Sequence, residues 1–80
     1  MKIKQQQFWF IVKTDYGKYS VAATAINPEV ARTCLGEAYG LGNVSDVPHM
    51  ITKAHSCYAE MDCTARSIEW LKANQAQVFN

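Results

Sequence analysis

Between residues 8 and 26 two apolar-rich runs are separated by a short polar break. Phe8-Trp9-Phe10-Ile11-Val12 reads as a strand, Thr14-Asp15-Tyr16-Gly17-Lys18 as a turn, and Tyr19 to Ile26 as a second strand. Because successive strand side chains alternate, Phe8, Phe10 and Val12 share one face while Trp9 and Ile11 share the other. A two-residue loop at Tyr16-Gly17 pairs Val12 with Val21, Phe10 with Ala23 and Phe8 with Ala25; a type I turn with Gly17 as a bulge shifts that register by one. In the first register large residues oppose small ones, which suits a helix lying across that face.

The pattern then changes period. Ala31, Cys34, Leu35 and Ala38 fall at helical spacing, leaving Arg32, Thr33 and Glu37 for water. Asn27 is an N-cap, Pro28 occupies the first helical position, where its missing N–H costs nothing, and Glu29 suits the positive end of the helix dipole. Gly40 supplies the stop, with Leu41 folding back as an apolar contact.

In the second half Asn43 to Val47 reads as a loop, with a short third strand within it as an alternative. From Met50 onward apolar residues recur at 50, 51, 54, 57, 58, 61, 65, 68 and 71, a helical stripe. One continuous helix is too long for this domain, and Asp62 is a competent N-cap. The spacing therefore predicts two helices, roughly 48–61 and 63–76, with a third strand at Met50–Ala59 as the rival. The expected fold is α+β: an antiparallel β-hairpin, a capped helix and a helical C-terminal half, ββα(β)αα, with ββαβα as the alternative. The expected core is Phe8, Phe10, Val12, Val21, Ala31, Leu35, Ala38, Ile68 and Leu71.

Composition narrows the class. Eighty residues form one domain, and 49% hydrophobic with 19% charged residues is a globular balance. A net charge of +1 argues against a dedicated duplex binder and against an acidic nucleic-acid mimic. The basic start Met1 to Gln7 has no long apolar stretch behind it, and Phe8–Val12 is too short for a signal-peptide core or a membrane span. Three cysteines, Cys34, Cys57 and Cys63, form no even disulfide set, so reduced thiols in the cytoplasm are expected.

His49, His55, Cys57 and Cys63 are close in sequence, but their H-x5-H-x-C-x5-C spacing matches no common zinc pattern. Neither a metal nor another cofactor is expected. A Cys–His nucleophilic pair lacks a visible orienting group, the carboxylates are scattered over turns and caps, and Gly40-Leu41-Gly42 follows a helix where a phosphate loop would precede one. The chain reads as a non-enzyme.

Trp9 and Ile11 lie on the face opposite the expected helix, and Lys2, Lys4, Lys13 and Lys18 run along the hairpin. An uncovered tryptophan makes a partner-binding anchor, so Trp9, Ile11, Lys13 and Tyr16 are the candidate partner-binding residues. The same lysines beside Trp9 and Tyr16 define the alternative, a small nucleic-acid-binding regulator.

The hairpin running into Ala25-Ile26-Asn27-Pro28-Glu29-Val30-Ala31 resembles small accessory proteins of phages and mobile elements, including anti-CRISPR inhibitors. The resemblance covers residues 8 to 42 and rests on size and layout. It implies a non-enzymatic inhibitor or adaptor that occupies a surface of a larger host complex, such as a CRISPR-Cas effector, in the cytoplasm of a bacterial host. A second copy of the chain is another candidate partner, nucleic acid a less favoured one, and no membrane is involved.

Overall fold

The computed structural model describes residues 4–50 and 57–74. Strand β1 (Gln6–Thr14) and strand β2 (Gly17–Ala25) form an antiparallel hairpin. Helix α1 (Pro28–Tyr39) and a short 3-10 turn (Leu41–Asn43) follow, then strand β3 (Cys57–Asp62) and helix α2 (Thr64–Ala73). The sheet order is β1-β2-β3, with β3 parallel to β2, so the described fold is the ββαβα arrangement.

Local chemistry accounts for the first half. In the turn, the Thr14 hydroxyl accepts the Tyr16 N–H and donates to the Gly17 carbonyl. Gly17 has φ of 125°, a backbone that L side chains rarely adopt. Asn27 caps α1, its Oδ1 accepting the Val30 N–H at 2.8 Å, with Pro28 in the first turn. The helix stops at Gly40, whose N–H reaches the Gly36 carbonyl at 2.8 Å and whose φ is 92°. Leu41 folds back as the sequence implies: a Cβ on Gly36 would stand 2.8 Å from its Cδ1.

The core lies between the helices and one face of the sheet. Phe10, Val12, Val21, Ala23, Ala25, Val30, Ala31, Leu35, Val44 and Cys63 form its buried cluster, with Phe8, Cys34, Met61 and Trp70 packed at its margin. Ser67 is the buried polar residue on this side. Its hydroxyl accepts the Ile26 N–H at 3.0 Å and lies 3.0 Å from the Cys63 carbonyl and 3.3 Å from Gln5 Oε1. One side chain thus joins the start of β1, the end of β2 and the first turn of α2.

The segment after α1 closes the outer edge of β1. Val44 bridges Val12, the Ser45 N–H reaches the Ile11 carbonyl, and the His49 N–H reaches the Trp9 carbonyl. Arg32, expected in water, instead holds this segment to α1 through the Ser45 carbonyl at 3.0 Å and Asp46 at 3.1 Å.

Three expectations need correction. The loop is Asp15-Tyr16, and Phe10 pairs with Val21, Val12 with Tyr19 and Phe8 with Ala23. The shift is two residues, which preserves which side chains share a face. The expected helix 48–61 does not form where the structure describes it: residues 57–62 are β3, Pro48 to Met50 are irregular, and 51–56 lie outside the described residues. Asp62 does help start α2, accepting the Thr64 N–H at 2.9 Å. Ala38 is exposed and Ile68 is 38% exposed, while Phe8 and Leu71 are half-buried, because α2 turns Ser67 and Trp70 inward instead.

Two stability measurements follow. Phe10→Ala should lose about 3–5 kcal/mol in urea unfolding, and a loss below about 1 kcal/mol would place the core elsewhere. Ser67→Ala should cost about 1–3 kcal/mol, since the Ile26 N–H would lose its side-chain acceptor.

Candidate functional site

Strand alternation puts Trp9, Ile11 and Lys13 of β1 on the sheet face away from the helices, with Lys18, Ser20, Ala22 and Thr24 of β2 beside them. The sheet register adds Glu60 and Asp62 of β3 to that face. Three of the four expected partner-binding residues are therefore aligned, and Tyr16 stands at the hairpin tip, 86% exposed.

The four are unequal. Ile11 is 39% exposed and Lys13 is exposed, but Trp9 is half-buried. Its indole Nε1 is enclosed and has no hydrogen-bond partner among the described residues. Ala22, directly across from Trp9, is buried as well. Of the candidate residues, those left accessible therefore lie toward the turn end.

There Lys13 lies directly opposite Lys18. Like charges so placed repel, and a negative group above them would relieve that repulsion. With Ile11 and residues 42–45, the two lysines line a shallow groove of about 390 Å³. The Tyr19 hydroxyl donates to the Tyr16 carbonyl at 3.0 Å, fixing the tip.

A second aromatic feature was missed by periodicity. Tyr58 is the extra residue where the β2–β3 register slips, and its ring stacks on Tyr19 with centroids 4.3 Å apart. Its sequence signal was ambiguous because residues 57–61 also fit a helical stripe.

The sequence cluster considered for zinc is scattered. Cys57 is exposed at the start of β3, Cys63 is buried just beyond its end, and His49 lies 3.5 Å from the Ser20 hydroxyl; His55 falls outside the described residues. Among the described residues, no group of three or more His, Cys, Asp or Glu could hold a metal ion. Their thiols also differ in character. Burial, together with a hydrogen bond involving Cys34, pushes the Cys63 thiol up to about 12.

At the surface, Arg66 bonds Glu37 across the helix pair and Glu69 within α2. The Arg66 hydrogen bond holds the Glu37 carboxyl below its ordinary range, and hydrogen bonds from Thr64 do the same for Asp62. Among the described residues, no helix is long and apolar enough to cross a membrane. No protein-family model matches the chain, and neither a curated protein nor a solved structure matches it.

Two outcomes can be measured. Iodoacetamide should label Cys57 in the native protein and reach Cys63 only on unfolding, as read by mass spectrometry. The melting temperature should fall at both pH extremes. Depressed folded pKa values at Glu37 and Asp62 give stability present above their ordinary 4.5 and 3.8 and lost on further acidification, an effect reduced by solvent screening. The raised Cys63 value gives stability present below the ordinary 9.0 and lost as pH climbs toward about 12.

Proposed function

We propose that the protein is a non-enzymatic binding module that docks through the turn end of its open sheet face. The observation that carries this reading is the grouping of exposed Ile11 with paired Lys13 and Lys18 around one shallow groove, with exposed Tyr16 at the tip of the same hairpin. Apolar and aromatic groups rimmed by charge form the usual plan of a protein interface. The lysine pair favours a partner whose rim is acidic. Trp9, half-buried on the same face, contributes at its margin. Inhibition or adaptation of a larger host complex, with a phage or mobile-element origin and a CRISPR-Cas effector as one candidate target, rests on the layout resemblance of residues 8 to 42.

The Lys13–Lys18 pair also favours a second reading, in which the anionic group is a nucleic-acid phosphate. Salt separates the two. Phosphate binding weakens steeply with ionic strength, whereas a contact centred on Ile11 and Tyr16 persists.

The test is affinity capture from the native host, followed by binding and melting measurements on the same variants. Ile11→Ala with Tyr16→Ala should weaken association by about 2 kcal/mol or more and leave melting nearly unchanged. Full retention of binding by that double variant would move the interface elsewhere. Trp9→Ala should weaken binding and lower the melting temperature together.

A further inference from the structure

The two outer edges of the sheet are finished differently. Main-chain bonds from Ser45 and His49 close the edge of β1, whereas among the described residues no strand pairs with the outer edge of β3. The Cys63 N–H turns inward to the Thr24 carbonyl at 2.8 Å. Because strand residues alternate, Glu60 and Asp62 turn their own N–H and C=O groups outward. Both residues are exposed, and their side chains share the face that carries Ala22 and Thr24. We propose that this edge accepts, as a fourth strand, an extended segment of a partner protein in which lysine or arginine alternates with apolar residues.

Charge and side-chain pattern select that occupant. Glu60 and Asp62 have no cationic partner among the described residues, where Arg32 is held by Asp46 and Arg66 by Glu37 and Glu69. A basic residue opposite each acid on an added strand makes a favourable cross-strand pair. Ala59 and Met61 alternate with the acids and face the helix side, half-buried at the core margin, with the Met61 Sδ 3.6 Å from the Cys34 thiol of α1. An apolar residue between the two basic ones extends that margin.

A second copy of the chain is a poor occupant. Antiparallel pairing of two β3 edges would gather both Glu60 and both Asp62 side chains on one short stretch of one face, and like charges so placed repel. The acids therefore guard the edge against self-pairing while leaving it open to a basic strand. In such strand addition the main-chain bonds supply affinity and the alternating side chains supply specificity. The edge shares no residue with the turn-end groove, so either surface stands or falls without the other.

The test uses the full chain and a fluorescent peptide of alternating lysine and valine, matched to β3 in length and read by anisotropy. The alternating peptide should bind saturably. A block peptide of the same composition, with all its lysines before its valines, should bind more weakly by roughly tenfold, as should the alternating peptide to Glu60→Lys. The same variant should gain affinity for a peptide with glutamate in place of lysine. Asp62→Asn keeps an oxygen for the Thr64 N–H and should weaken binding with melting nearly unchanged. On peptide addition, amide exchange read by NMR should slow at Glu60 and Asp62 and change little at Cys63, whose N–H is already bonded to Thr24. Absence of saturable binding, equal binding of the two lysine peptides, indifference to Glu60→Lys, or unprotected Glu60 and Asp62 amides would overturn the proposal. So would a free chain that sediments as a dimer with those amides protected, which would give the edge to a second copy.

Discussion

Strand β2 is paired on both sides, and its small residues govern how closely everything else approaches. Ala23 and Ala25 lie beneath the helices and are fully buried, while Ala22 is buried on the opposite face beside Trp9. With short side chains at these positions, α1 and α2 both pack against the same strand. Phe10 and Leu35 of its neighbours fill the space the alanines leave. A bulkier side chain at Ala23 would separate helix from sheet and disturb the core.

The polar anchors follow the same logic. Ser67 places a hydroxyl where three chain segments meet, and Arg32 holds the segment that closes the edge of β1. Each links parts of the chain that hydrophobic contact alone would leave free to slide. On the Trp9 face the accessible apolar group, Ile11, lies toward the turn.

The sequence was readable wherever a structure is set by neighbours in the chain. Asn27-Pro28 and Gly40 marked the ends of α1 because caps act within one turn. The hairpin faces were readable because Phe8, Phe10 and Val12 alternate with Trp9 and Ile11. The register was not, since Gly17 uses its positive φ immediately after the loop and not within it. Residues 57–62 satisfied two periods at once, and only the open edge of β2 decides between strand and helix. Lys13, Trp9 and Ile11 could be grouped from their two-residue spacing. Cys34 and Met61 could not, because their meeting depends on how α1 and β3 are placed against one sheet.

The parallel pairing of β2 with β3 has a consequence for the order of assembly. Ser20 and Cys57 face one another across a chain separation of about 37 residues, whereas the hairpin closes over a two-residue loop. Closing the longer loop carries the larger entropic penalty, so the hairpin and α1 are favoured to form before the sheet is complete. At about 5–20 residues per second on the ribosome, roughly 2–7 s pass between the emergence of Ser20 and that of Cys57. Through that interval one edge of β2 is unpaired, and the nascent chain carries an adhesive strand that only its own later residues are built to cover.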